Sequence, residues 1–506
     1  MNDPNGLVIA GKPGNETIHL YFQYNPTAMV AGDQHWGHAT SNSFDSHEWH
    51  NHLPAIAPSN STEGIFSGCA VIDRNNTSGF FDDSTEPENR IVAIYTSNTP
   101  EAETQAVAYS TDGGYNYTKY EQNPVLTHPG KYQTQFRDPK VFWDEPHNQW
   151  VMAVAHTQEY EVGFYTSSDL KSWKPVSQFK SAGILGFQYE CPSIVRAPIV
   201  GGPRDGEMTW VMLVSVNPGA PQGGSFNQYF IGDWDGTKFT ANDSAARVAD
   251  FGKDWYAAQT WSNTGDKAYV IGWASNWQYT QTVPTSPWRS ALSLVREITV
   301  KWAGYNPLTE GYVMAMNPVD TSKIVTKELH SAKDKVNNGT EVSLNGDGAF
   351  EINATLSLTP DGYANATTDT FVDLRVYAGD GKKQYLRLGL YGGEQGGIYI
   401  DRRKAGTQWA DDNVWFNDRF SAHPEPLLED GKSQDESNKV YKLRLIVDRS
   451  MSELYVNEGT AVATVLHFWD DGAIPSSLEV KMGDKRITVE DLSVKALEST
   501  WKKQEK

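Results

Sequence analysis

Three acidic residues sit in similar settings far apart in a 506-residue chain: Asp3 in MNDPNG, Asp138 in QFRDPKVFW and Glu190 in QYECPSIV. Each is followed by proline, directly or after Cys191, and then by strand-like sequence. An Asp-Pro pair can be ordinary turn punctuation, since Asp caps its own backbone while Pro fixes φ. Acids repeatedly set at strand margins also suit one polar site assembled from distant segments. Cleavage of a glycosidic bond uses such a set: one carboxylate attacks the anomeric carbon while a protonated carboxyl gives its proton to the leaving oxygen. On that reading Asp3, beside Asn2, Asn5 and local N–H groups that can hold it ionised, is the candidate nucleophile. Glu190 has the longer arm and lies beside Phe187 and Tyr189, where desolvation and nearby acids would raise its proton affinity. Asp138, next to Arg137, would stay ionised, grip two sugar hydroxyls and oppose positive charge at an oxocarbenium-like centre. The competing reading makes Arg137 and Asp138 a turn-stabilising pair, and the residues alone leave the two open.

The elements that must position these acids are strands. IHLYFQY, IVAIYTS, QAVAYST, QWVMAVAHT, VGFYTSS, TWVMLVSVN and KAYVIGWAS alternate or run apolar between turns, and no long helical periodicity interrupts them over the first 300 or so residues. A weak repeat of strand, acidic turn and aromatic runs through Asp45 and Trp49, Asp112 and Tyr117, Asp169 and Trp173, and Asp235 and Phe239. The turn aspartates are 67, 57 and 66 residues apart, a period suited to four-stranded blades. Four such units plus the GWASNWQY region predict a five-bladed β-propeller over residues 1–320; hairpins in sandwiches are the alternative. Residues 321–344 read as a polar linker with one edge segment. Period-two patterns such as LRLGLY and KLRLIVD then predict an all-β sandwich over residues 345–506.

Composition narrows the chemistry. The formal charge of −20 argues against a nucleic-acid partner. Seventeen Trp and 24 Tyr suit both sheet packing and a carbohydrate site, where flat rings cover the apolar faces of sugars. Two cysteines, Cys69 and Cys191, make no disulfide scaffold, and whether they pair is left open. Nine N-x-S/T triplets, at Asn15, Asn60, Asn75, Asn76, Asn116, Asn242, Asn338, Asn353 and Asn365, point to a secreted glycoprotein of the cell exterior or wall. No apolar run has membrane-spanning length. The histidines of HEWHNH (His47, His50, His52) lack a helical metal-site spacing, no calcium or phosphate loop emerges, and Ser67 in IFSGC is not a nucleophile elbow. A metal-free, cofactor-free hydrolase is therefore expected. Its rivals are a binding-only propeller, since repeats do not specify catalysis, and a sialidase-like glycosidase, which would need an arginine cluster where the acids offer chiefly Arg137.

At MNDPNG, FRDP and YECP the chain resembles glycoside hydrolase family 32, the invertase and inulinase family of β-fructofuranosidases. HLYFQYNP, HWGHATS, IFSG, NNTSGFF, SVNPGAPQGGSFNQYFIG, DFGKDWYAAQTW, IGWASNWQY and PWRSALSLVRE extend the agreement over nearly residues 1–300. It looks most like the yeast and fungal secreted branch. The resemblance implies a five-bladed propeller followed by a β-sandwich, with the site in the central funnel. It makes Asp3 the nucleophile, Glu190 the general acid/base and Asp138 the transition-state stabiliser, with Arg137 holding charge and substrate geometry. Asn2, Gln23, Trp36, Phe66 and Ser67 then look like a fructose-binding wall, Trp277 an outer subsite, and Trp288 part of the funnel or a lock on the last blade. Where the family's FSGS ends in Ser this chain has Cys69. The implied reaction is retaining, exo-acting release of terminal fructose from sucrose or short fructans, with transfer to a sugar hydroxyl as a side reaction. An exo-inulinase preferring longer fructans and a non-catalytic fructan-binding propeller are the alternatives, and a homodimer through the sandwich is the expected assembly.

Overall fold

The computed structural model describes residues 2–304, 311–334, 336–428 and 435–498. The chain forms two compact units, Met1–Ala249 with Trp255–Val300, and Asp250–Asp254 with Lys301–Lys506.

The first unit is a propeller of five antiparallel blades. Blade 1 runs Pro4–Ala10, Thr17–Tyr24, His35–Ser41 and His50–Ile56, each strand pairing with the next. Blades 2, 3 and 4 repeat the order from inner strands Gly64–Ile72, Phe136–Asp144 and Tyr189–Val200. Blade 5 begins at Tyr256–Thr260, which pairs with Ala268–Ala274. The inner strands neighbour one another in cyclic order. The ring closes where Ile9 N–H donates to Ser262 O (3.2 Å) and Ser262 N–H to Leu7 O (2.9 Å). Side chains on facing sheets fill the gaps between blades: Tyr21, Trp36 and Tyr95, then Phe136, Trp150 and Tyr165, then Phe164, Met212 and Phe230.

The acidic repeat has a physical basis. Asp45, Asp112, Asp169 and Asp235 all lie in the turn between the third and fourth strands of their blades. Asp112 Oδ1 accepts from Tyr115 and Asn116 N–H, Asp169 Oδ1 from Lys171 and Ser172 N–H, and Asp235 Oδ1 from Thr237 and Lys238 N–H. A short carboxylate closing its own turn is what brings the fourth strand back beside the third.

A second repeat lies in the backbone. Each inner strand slips register at the same place, between Asn5 and Val8, Ile65 and Gly68, Arg137 and Lys140, Glu190 and Ser193, and Tyr256 and Gln259. At four of these bulges the first extra residue has positive φ: Gly6 (55°), Asp138 (63°), Cys191 (44°) and Ala257 (49°). A bulge leaves residues outside the ladder and re-aims their side chains. That explains the prolines after Asp138 and Cys191, because Pro139 and Pro192 stand where no ladder N–H is needed.

The second unit is a sandwich of two six-stranded antiparallel sheets. One runs Val325–Ala332, Ile487–Leu497, Ala349–Leu358, Lys439–Asp448, Met451–Val456, Ala461–Leu466. The other runs Glu341–Ser343, Pro475–Met482, Phe371–Ala378, Gln384–Tyr391, Gly397–Lys404, Arg419–Ala422. Leu356, Leu374, Leu388, Leu445, Val480 and Val494 lie in its core, as the alternating patterns require. The segment 321–344 is more than a linker, because Val325–Ala332 and Glu341–Ser343 add an edge strand to each sheet. Within DFGKDWYAAQTW, Asp250–Asp254 belongs to the second unit. There Asp250 accepts from the Thr464 N–H (2.8 Å) and hydroxyl (2.7 Å), and Asp254 pairs with Arg402 (2.7 Å).

Candidate active site

Every blade contributes to the site from the bulged end of its inner strand. Blade 1 presents Asp3, just before its first strand residue; blade 2 presents Ser67, whose Oγ donates to Asp3 Oδ2 at 2.7 Å. Blade 3 supplies Arg137 and Asp138, blade 4 Glu190 and Cys191, and blade 5 Tyr256. The Cys191 N–H donates to Asp138 Oδ2 (2.9 Å), and the Cys191 thiol lies 3.4 Å from that oxygen and 3.8 Å from Asp3 Oδ2. Arg137 donates through Nε and Nη2 to Glu190 Oε1 (3.2 and 2.8 Å), while the Tyr256 hydroxyl donates to Glu190 Oε2. The three acids therefore meet in one cluster.

The electrostatics follow from burial. Asp3 is pushed up to about 7, first by desolvation, then by the neighbouring charge of Asp138, with the Ser67 hydroxyl pulling the other way. Asp138 is pushed up to about 6 by burial, against the pull of Arg137. The expectation that Asn2, Asn5 and local amides keep Asp3 ionised holds in part: a backbone amide and the Ser67 hydroxyl favour its charge, but burial outweighs them. Oriented to satisfy its neighbours, the Asn5 amide donates to Ser67 Oγ (3.2 Å) and so aims that hydroxyl at Asp3. Burial and the three acids hold the Cys191 thiol far above its ordinary value, so it stands as a neutral S–H. Cys69 is likewise a free, buried thiol, accepting from Val141 N–H at 3.0 Å, so the two cysteines do not pair.

One test follows. Ser67→Ala removes a stabiliser of the Asp3 carboxylate, so the Asp3 pKa rises and less of the group is ionised at acid pH. The acid limb of the kcat/KM profile should move up by roughly one pH unit, the worth of one charge-assisted hydrogen bond. An unshifted limb would separate Ser67 from Asp3.

The other expected residues divide. Asn2 and Gln23 line a cleft with Trp273, Trp277, Gln281 and Arg289 that adjoins the acids through Asn2 and through Trp273, whose ring is 6.4 Å from Tyr256. Trp277 packs on Trp273 with ring centroids 4.9 Å apart. Phe66 is half-buried on the blade-2 bulge. Trp36 is fully buried beside the site: its ring lies 2.7 Å from where a Cβ at Gly6 would stand, and its Nε1–H donates to Phe66 O (2.9 Å). Glycine at position 6 is demanded by both φ and this close approach. Trp288 is 63% exposed and outside the lining of the cleft; its neighbour Arg289 takes that place. The aromatics flanking Glu190 do not shape its pocket either. Phe187 is 55% exposed, and the Tyr189 hydroxyl turns away to Ala182 O.

Sequence reasoning missed Glu103, Tyr256 and Thr96. Glu103 takes Arg137 Nη1 on both oxygens (3.0 and 3.1 Å) and the Phe136 N–H at 2.7 Å, anchoring the guanidinium that grips Glu190. Thr96 Oγ1 accepts the Asp138 N–H at 3.0 Å. Tyr256 stands inside DWYAAQTW, but nothing in that word assigns it a partner. Its position one residue before the blade-5 bulge, matching Arg137 and Glu190 in theirs, is the signal that an aligned repeat would have carried.

For a metal, one group among the described residues qualifies by distance: His128, His156 and Glu159, with ligand atoms within 4.8 Å. The donor set does not fit. Gly130 N–H donates to His128 Nδ1 (2.9 Å), which leaves the ring proton on Nε2, the atom a cation would need.

Carboxylates gathered from separate blades, one gripped by an arginine and a tyrosine, define a glycoside hydrolase built on a five-bladed propeller. The chain belongs to glycosyl hydrolase family 32. Residues 1–309 match the family's N-terminal domain and residues 319–496 its C-terminal domain. It is 42% identical to the invertase of Wickerhamomyces anomalus over 98% of this chain and 92% of that protein. It is 40% identical to the extracellular exo-inulinase of Meyerozyma guilliermondii strain ATCC 6260, over 98% of this chain and 93% of that one. The structure of the fructofuranosidase from Schwanniomyces occidentalis complexed with fructose matches with a TM-score of 0.88 at 39% identity, covering 99% of this chain and 96% of that one.

Proposed function

We propose that this chain is a retaining, exo-acting β-fructofuranosidase of the invertase type, with residues 1–320 as its catalytic domain. Asp3 attacks C2 of a terminal β-fructofuranosyl unit, and Glu190 protonates the departing oxygen. Water, deprotonated by Glu190, then opens the covalent intermediate with retention of configuration. Asp138 holds sugar hydroxyls and faces the positive charge of the transition state, while Arg137, anchored by Glu103, orients Glu190. Asn2, Gln23 and Ser67 lie where they can hold the fructosyl unit, and Trp277 where it can meet the group beyond it. The observation that carries this reading is the convergence of Asp3, Asp138 and Glu190 around Cys191 and Arg137. A sugar hydroxyl in place of water gives transfructosylation from the same intermediate.

Timed product analysis tests the proposal. Sucrose should give glucose and fructose in equal amounts, and inulin fructose alone from the start. Early products of intermediate length would mean internal cutting and overturn the exo assignment. A preference for longer fructans is the second reading, favoured by 40% identity to an exo-inulinase; the ratio of kcat/KM on sucrose to that on inulin decides it. Binding of sucrose without release of glucose would instead mark a non-catalytic propeller.

The extracellular setting rests on the nine glycosylation triplets and on relatives named as extracellular. Asn15, Asn116 and Asn365 are exposed, whereas the Asn353 amide sits in a strand and donates to Glu351 (2.9 Å). No helix among the described residues is long and apolar enough to cross a membrane.

A further inference from the structure

The head of blade 3's inner strand is held from the neighbouring blade. On strand Glu103–Ser110 of blade 2, Glu103 and Gln105 share one face, as alternate strand residues do, and both are buried. They take both backbone polar groups of Phe136: its N–H donates to Glu103 Oε2 (2.7 Å), and Gln105 Nε2 donates to its carbonyl (2.8 Å). Thr96, paired opposite Gln105 on strand Ile91–Asn98, gives its hydroxyl to Gln105 Oε1 (2.8 Å) and accepts the Asp138 N–H (3.0 Å). The backbone that aims Arg137 and Asp138 is thus fixed to a frame that blade 2 provides.

Charge runs through the same frame. The Arg137 guanidinium lies between two carboxylates, with Nη1 on Glu103 (3.0 and 3.1 Å) and Nη2 and Nε on Glu190 (2.8 and 3.2 Å). All three side chains are at most 14% exposed, so their charges act on one another with little screening. Burial works against the charge on Glu103, while the guanidinium and the Phe136 amide work for it. Glu190 also faces Asp3 from blade 1, Asp138 from blade 3 and the neutral Tyr256 hydroxyl from blade 5, and Glu103 faces Asp138 besides Arg137. Arg137 is the cation in this set, and left to Glu190 alone it would favour the ionised form of the residue that must hold a proton. We propose that Glu103 is a positioning residue for the proton donor: it draws part of the Arg137 charge towards blade 2 and so lets Glu190 keep its proton for the leaving group. This deepens the acid/base role assigned to Glu190 above and rests on it.

Glu103→Gln tests it, since the amide keeps an oxygen for the Phe136 N–H and loses the charge. The alkaline limb of the sucrose kcat/KM profile should move down by about one pH unit, so that turnover on that limb falls roughly tenfold while the acid side stays within about twofold. Formation of the fructosyl intermediate from an activated fructoside, whose leaving group needs no proton, should keep its rate. Glu103→Asp, with its carboxylate withdrawn by one methylene, should move the limb the same way by a smaller amount, and it carries the test if Glu103→Gln does not fold. In a Glu190→Gln background, Glu103→Gln should cost nothing further on the activated fructoside, because the two groups act as one unit. An unmoved limb in whichever variant folds, with a loss equal at every pH, or a further loss in that background would make Glu103 purely structural and overturn the proposal. Failure of the unaltered protein to cleave sucrose would instead remove the acid/base reading beneath it.

Discussion

Replacement of Asp3 by Asn should lower kcat on sucrose by at least ~10⁴-fold, ~5.5 kcal/mol of barrier, because an amide cannot form the fructosyl ester through which the reaction passes. KM should move far less, since Asn keeps an oxygen to accept from Ser67. The same variant reads out the burial of this acid. The folded-state pKa of Asp3 is raised to about 7, so the folded protein binds that proton more tightly than the unfolded chain does. Its stabilising contribution is complete below the ordinary carboxylate value and is lost as pH climbs through 7. Asp3→Asn, neutral at every pH, should therefore melt higher than the unaltered protein at pH 8 and nearly level with it at pH 4. Near-normal sucrose turnover by a folded Asp3→Asn protein would reject the covalent role outright. Equal melting temperatures at pH 8 would reject the burial cost alone.

Glu190→Gln should cost about 10³-fold in kcat on sucrose, within the range of a lost general acid and base. The loss divides by leaving group. With an activated fructoside, whose departing oxygen needs no proton, formation of the intermediate should be nearly normal and its hydrolysis slow. Added azide, which needs no deprotonation to attack, should then speed turnover and yield a fructosyl azide of retained configuration. Ordinary sucrose turnover in the variant, or failure of azide to change its rate on the activated substrate, would remove Glu190 from the role. Circular dichroism and melting profiles must match the unaltered protein in both cases, because Arg137 loses its carboxylate partner on this side.

Much of this site is legible in the amino-acid sequence. The acid-proline words mark where the inner strands begin or bulge, because proline is tolerated where a ladder N–H is not needed, and the turn aspartates mark the blades. What stays hidden is set by register and by partners distant in sequence. Glu103 is 34 residues from Arg137, and Tyr256 is 66 from Glu190, at ordinary strand positions whose composition says nothing of what they face. The close approach of the Trp36 ring to Gly6 is equally hidden, since the two are 30 residues apart in sequence and meet only through strand pairing. The sandwich is readable from alternation, but the edge strands Val325–Ala332 and Glu341–Ser343 are less so, since the first is largely polar and the second only three residues long.

The register slip shared by all five inner strands gives the propeller a modular rim. Each blade offers an equivalent seat at the funnel, held by its own hairpin, so a side chain can be exchanged at one seat while the other four keep their frames. Chemistry on such a scaffold is composed seat by seat: acids from three blades, a hydroxyl from the second and a phenol from the fifth. Swapping the occupant of the second or fifth seat is thus a route to new acceptors or pH ranges that leaves the architecture intact.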